Sequence, residues 1–229
     1  EGWGYLDGWS LTSRGAMLAR TYHEADLLVA EAVAGGLFDG LDGPSLAALA
    51  SCFTYEHRGP GPPPPPVFPT RELRSRVGDL EELAVDLQAD EADLGLPMTR
   101  TPDPGFVAIA YGWAAGERLA DVLDDEDLSG GDFVRNVKTL LDLVRQVGDV
   151  ATDRRTARAA RQAAEALHRG VVSISSTLEE VTGDTGPAEA SVEPPPGEAR
   201  AEAAIRVELA EEPDPAVVGR VLPTALEDD

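Results

Sequence analysis

Residues Gly131 to Ala151, GDFVRNVKTLLDLVRQVGDVA, constrain the fold more than any other stretch of this chain. Phe133, Val134, Val137, Leu140, Leu141, Val144 and Val147 recur at helical spacing and make an apolar face wide enough to bury. Arg135, Lys138, Asp142, Arg145 and Asp149 fall at i, i+3, i+7, i+10 and i+14, a single charged line along the opposite side. Thr139 and Gln146 adjoin that line. Such a segment needs partners on one side and something polar on the other, so it belongs in a helical bundle. On pattern alone the charged line is a solvated face with internal ion pairs. The competing reading is a face turned toward a channel.

The rest of the chain agrees with an all-α fold. Hydrophobic residues make up 42% and aromatics only 5%, and Ala, Leu and Val dominate, which favours helix over sheet. Residues 4–12 alternate like an extended piece, and Ser13 is placed to cap a helix running through Met17, Leu18 and Tyr22. Further helices are expected over Glu24–Ala34, ended by Gly35-Gly36, and over Ser45–Tyr55, with Leu46, Leu49, Ala50 and Phe53 on one side. Residues 58–69, RGPGPPPPPVFP, exclude helix and sheet; their consecutive prolines force a stiff polyproline II connector. Thr70 then caps a long helix to about Gly95 with a stripe through Leu73, Val77, Leu80, Leu83, Ala84 and Leu87. Helices follow near Asp103–Gly116, Arg118–Asp124, Gly131–Ala151 and Thr156–Glu180. The domains read as an extended end over 1–12, a helical bundle over 13–182, and a disordered acidic tail over 183–229. That tail holds twelve acids and three arginines, a net charge of −9, which leaves −14 for the remainder of the chain's −23.

Charge and absences bound the chemistry. Net charge −23 repels nucleic acid and anionic membranes unless cations are gathered in one place. Lys138 is the only lysine and stands within a helical run, so there is no P-loop, and no GxGxxG occurs. Asp-Glu-Ala-Asp at Asp90–Asp93 follows an amphipathic helix, not a buried strand, and reads as a solvated helix end. His23, His57 and His168 lack a second ligand at metal spacing. Ser173, Ser175 and Ser176 have no nucleophile-elbow glycines. The carboxylates Asp121, Asp124, Asp125, Glu126 and Asp127 match no calcium loop and read as a turn and helix cap. No residue is assigned a catalytic role, and no cofactor or metal site is expected in this chain. Cys52 is alone and reads as a small buried hydrophobe, fitting a cytoplasmic protein. No apolar run approaches the ~20 residues of a membrane span, and no signal peptide is evident. The chain begins at Glu1 without Met, and a fragment or split gene product is expected.

The stretch WAAGERLADVLDDEDLSGGDFVRNVKTLLDLVRQV resembles the C-terminal helical (DSHCT) domain of superkiller and HelY-like superfamily II RNA helicases. GYLDGWSLTSRGAMLARTYHEADLLVAEAVAGGLFDGLDGPSLAALASCFTYEHR is similar to the opening of the same domain, and GVVSISS to its last helix. The resemblance covers roughly Gly4 to Thr182 and is strongest toward the HelY-like branch. It implies that residues 1–12 end a preceding winged-helix-like region, and that the intact helicase uses ATP and magnesium in RecA-like domains outside this chain. It implies that the GDFVR helix lines the nucleic-acid channel, with Arg135, Lys138, Thr139, Asp142 and Arg145 as the binding residues. Some members carry Arg where Thr139 stands and Glu where Asp142 stands; a threonine offers no guanidinium plane for base stacking. The implied partners are the RecA-like and winged-helix domains of the same helicase, and single-stranded RNA, or DNA, only in the intact enzyme; no membrane partner is implied. By itself the chain is expected to bind RNA weakly or undetectably, because its net charge is negative. The alternative function is a free-standing acidic helical adaptor that meets a protein partner through Trp9, Tyr22 and Trp113.

Overall fold

In the computed structural model, residues 3–59, 61–123 and 128–175 are described. The expected acidic run Asp124–Asp127, Ser176, the end of the last helix and the tail lie outside them.

A two-strand antiparallel hairpin, β1 (Leu6–Asp7) and β2 (Ser10–Leu11), pairs Leu6 with Leu11 across a turn in which Gly8 has φ 59°. The alternation of residues 4–12 therefore marks a hairpin and not a single extended piece. Thr12, not Ser13, caps α1 (Ser13–Leu18) by accepting from the Gly15 amide. This helix ends well before Tyr22, which stands exposed in the connection to α2 (Asp26–Ala34). The hairpin is tied to α2 by Glu31, a buried carboxylate that accepts from the Tyr5 hydroxyl and from Arg14 at 3.2 Å. Burial, then the bond to Glu31, pushes the Tyr5 phenol up from its ordinary pKa.

Helix α3 (Gly43–Thr54) is the centre of the bundle. Asp42 caps it by accepting from Ser45 at 2.9 Å, and Pro44 occupies the first turn. Its sequence, GPSLAALASCFT, is apolar or small all round, and every residue from Ser45 to Phe53 is buried. The expected one-sided stripe is thus a fully enclosed helix, its other side carrying Ala47, Ala48 and Ser51, small enough to pack against neighbours. Small side chains let neighbours approach: a Cβ on Gly43 would lie 3.3 Å from the Ala163 amide nitrogen. Cys52 is buried here as expected of a small hydrophobe, and burial raises its thiol pKa.

Residues 61–67 of the proline-rich connector are exposed and belong to no helix or strand. Helix α4 (Arg71–Asp93) begins where Thr70 accepts from Leu73 at 3.1 Å, and buries Leu73, Val77, Leu80, Ala84 and Leu87. Its last turn carries the Asp-Glu-Ala-Asp letters. Glu91 is not solvated there: it is buried and accepts from both the amide and hydroxyl of Thr99 at 2.6 Å. Asp90 accepts from the Trp3 indole at 2.7 Å. These carboxylates fasten the chain after the helix. Among the described residues no group of three His, Cys, Asp or Glu could hold a metal ion.

A 3-10 turn (Pro104–Phe106) leads into α5 (Val107–Ala115), which ends at Gly116 with φ 98° in the left-handed cap that glycine allows. The short α6 (Leu119–Val122) follows, then α7 (Gly130–Val150) and α8 (Arg154–Leu167), both packed on α3. Phe106, Trp113 and Phe133 join α5 to α7, with Trp113 edge-on to Phe133 at 5.2 Å. The helix expected over 156–180 is broken. His168 ends α8, Gly170 takes φ 53°, and helix resumes over 170–175. The architecture is all-α, a bundle with a small N-terminal hairpin. No described helix is long and apolar enough to cross a membrane.

Candidate nucleic-acid interface

Helix α7 starts at Ser129, whose hydroxyl accepts from the Asp132 amide at 3.1 Å. One flank buries Phe133, Val137, Leu140, Leu141, Leu143, Val144, Val147 and Val150. That anchoring fixes the rotation of the helix about its axis and turns the charged line outward. Arg135, Thr139, Asp142, Arg145 and Asp149 are exposed and Lys138 is half-buried. The side chains of Arg135 and Asp142 are 66% and 72% exposed, so neither charge bears a desolvation cost.

The predicted residues are brought to one face, but they are not equivalent. Arg135 pairs with Asp132 one turn earlier, and Arg145 lies 3.7 Å from Asp142. Exposed pairs of this kind contribute at most about 1 kcal/mol and open readily for a competing anion. Lys138 donates to the Ser175 hydroxyl at 3.0 Å, which ties α7 to the helical stretch 170–175. Thr139 donates back to the Arg135 carbonyl at 3.2 Å. Gln146 brackets the Tyr22 backbone, accepting from its amide at 2.6 Å and donating to its carbonyl at 3.4 Å. The exposed Tyr22 ring therefore stands beside the charged line, held by its main chain.

A group of residues escaped the sequence reading. Helix α8 carries Arg154, Arg155, Arg158 and Arg161 on its exposed side, while Thr156, Ala159, Ala160, Ala163 and Leu167 are buried. The arginine spacing is visible in the letters, but only the packing of α8 shows that these positions share an exposed side. Across residues 130–169 there are eight cations against five acids, in a chain with 19 against 42. Charge is segregated: α7 carries three cations and three acids, and the excess is on α8, with four arginines against Glu165.

Two other candidates have structural roles. Trp113 is 2% exposed, and its indole donates to the Leu167 carbonyl at 3.0 Å, so it cannot join Trp9 and Tyr22 on an adaptor surface. The His23 Nδ1 accepts from the Ala25 amide at 3.0 Å. Lys138 sits in the middle of α7, which is not the loop setting of a P-loop lysine.

The fold and its exposed face define an all-helical bundle that displays one anchored helix with an open charged line. The chain belongs to the DSHCT (NUC185) domain family, whose model matches residues 8–175. It is similar to the probable helicase HelY of Mycobacterium leprae, 38% identical over 183 residues that cover 76% of this chain and 20% of that protein. It is 36% identical to the probable helicase HelY of Mycobacterium tuberculosis, over 72% of this chain and 19% of that protein. It is 25% identical to the exosome RNA helicase MTR4 of Homo sapiens, over 55% of this chain and 12% of that protein. The chain spans about a fifth of the length of the HelY proteins it matches.

Proposed function

We propose that this chain is the accessory bundle of an ATP-dependent RNA helicase of the HelY kind, and that α7 lines the path of the translocating strand. The carrying observation is the exposure of Arg135, Thr139 and Asp142 on a helix whose other face is locked in the core. A cation there meets phosphate, and neutral and acidic side chains meet base edges of an unpaired strand. The work is mechanical: the RecA-like domains close on ATP and pull, and the bundle holds the strand against slipping back. ATP and magnesium would be bound by those domains. Residues 1–12 would join the bundle to a winged-helix region, for which Leu6, Trp9 and Leu11 offer exposed apolar surface.

The test has two parts. Genomic sequence immediately upstream of the codon for Glu1 should continue in frame into a P-loop and a strand-borne Asp-Glu pair. In the helicase so assembled, R135A/D142A should lower RNA unwinding at least about tenfold, roughly 1.4 kcal/mol, with the melting temperature of the bundle unchanged. Unwinding equal to the parent's would remove α7 from the strand path. A start codon at this point with no helicase gene nearby would favour the adaptor.

A further inference from the structure

We propose that α8, together with the groove it forms with α7, is a second contact for the single strand: a basic rail that takes the sugar–phosphate backbone outside the α7 line. The proposal rests on the reading above that the chain acts on nucleic acid. Arg154, Arg158 and Arg161 fall at i, i+4 and i+7, one line about 10 Å long on the exposed side of α8. Arg155 flanks it. None of the four makes an ion pair with a described residue, whereas Arg135 and Arg145 on α7 each have an aspartate alongside. Four guanidinium groups left in water on one helix repel one another, and an anion relieves that repulsion.

The two lines meet. Arg145, Arg161, Ala164, Glu165 and His168 enclose one open depression between α7 and α8. Arg145 belongs to the α7 line and Arg161 to the α8 line, so the surface between them is continuous. The acid in its lining is Glu165, and Asp142 lies 3.7 Å from Arg145. The α8 backbone beneath is fixed: Ala160 lies against Gly148 of α7, Ala163 lies against Gly43 of α3, and the Thr156 hydroxyl donates to Asp39. A rail held this firmly presents its arginines in a constant register, which suits a repeating polyanion. Phosphate repeats along a strand, and guanidinium binds it in a fork. An acidic peptide would satisfy the charge, but nothing connects such a partner to the α7 line.

The experiment is equilibrium binding of a fluorescein-labelled single-stranded oligouridine to the full 229-residue chain, read by anisotropy as salt is raised. From roughly 20 to 150 mM salt, the parent binds weakly and loses affinity steadily, as phosphate contacts require. R154Q/R158Q/R161Q should bind at least about tenfold more weakly at low salt, with the slope of log K against log salt smaller by about 2, three contacts at ~0.7 each. The control R20Q/R71Q/R118Q makes the same change in net charge at exposed sites elsewhere and should leave the slope within ~0.5 of the parent's. No binding by the parent at low salt, equal losses in both triples, or competition by polyglutamate as strong as by unlabelled RNA would each overturn the rail. If the α8 triple loses binding while R135A/D142A leaves unwinding intact, the rail stands and the α7 role fails. The reverse pair of results sinks the rail alone.

Discussion

Arg169 shows how one side chain closes a break in a helix. It follows the end of α8, and its guanidinium lies 3.5 Å from the centre of the Trp113 ring. From there it donates to the carbonyls of Trp113 at 2.7 Å and Glu117 at 2.6 Å, adding to the bond that the Trp113 carbonyl accepts from the Gly116 amide. Its Nε is buried without a partner, a cost the stack and the two charged bonds offset. Replacing Arg169 with Ala should lower unfolding free energy by about 3 kcal/mol in urea titration, and Lys should restore only part of it because it lacks the planar fork. His23 gives a pH dependence. Burial lowers its pKa from the ordinary 6.5, with Arg100 lowering it and Glu24 and Asp26 opposing. The unfolded chain therefore takes up the proton first. The stability from neutral His23 is complete above pH 6.5 and is lost as pH falls from 6.5 toward the folded value. H23N, which keeps a side-chain acceptor for the Ala25 amide, should melt with a flatter dependence across that window.

At the scale of elements, two helical glycines predict opposite outcomes. A Cβ on Gly148 of α7 would sit 3.2 Å from the Ala160 Cβ of α8, so the helices touch at that point. Gly148→Val should overpack the contact and cost about 1–3 kcal/mol by thermal or urea unfolding. Gly78 in α4 meets nothing within 4 Å. Gly78→Ala should raise stability by about 0.5–1 kcal/mol, the helix propensity alone. A loss at Gly78 would mean that α4 is packed more tightly than its surroundings indicate. The elements themselves were legible where period and punctuation agreed. Thr70 capped α4 as expected, and α7 begins and ends within a residue of the expected Gly131–Ala151. The break at His168 was not legible, because Val171, Ile174 and Leu178 continue the period and Gly170 alone does not stop a helix. The enclosure of α3 was hidden too, since its small residues carry no sidedness to read.

The whole molecule is governed by how its charge is distributed. A net charge of −23 opposes compaction through self-repulsion, which salt screens. The melting temperature should therefore rise as sodium chloride is raised from roughly 20 to 300 mM, while RNA binding falls. A melting temperature that falls with salt would show that local ion pairs outweigh the global field. Apolar exposure at Leu6, Trp9 and Leu11 gives a separate expectation, that the isolated chain binds a hydrophobic dye and W9S binds less. The candidate site was half visible. The α7 line could be read from its spacing, because a helix with one apolar face has only one direction for its charges. The α8 arginines could not be weighted, because arginine runs through the chain and only packing separates a patch from a habit.

Amino-acid order alone determined that this chain forms helices, where the proline-rich connector falls, and which side of α7 goes to the core. Those properties are local: caps, periods and ring constraints act within a few residues. Tertiary structure decided that α3 is enclosed, that Trp113 is sealed by Leu167 and Arg169, and that Arg145 and Arg161 border one groove. Each of these depends on groups distant in the chain being brought within contact range. Packing settles that, because a side chain's neighbours are set by how whole helices fit together.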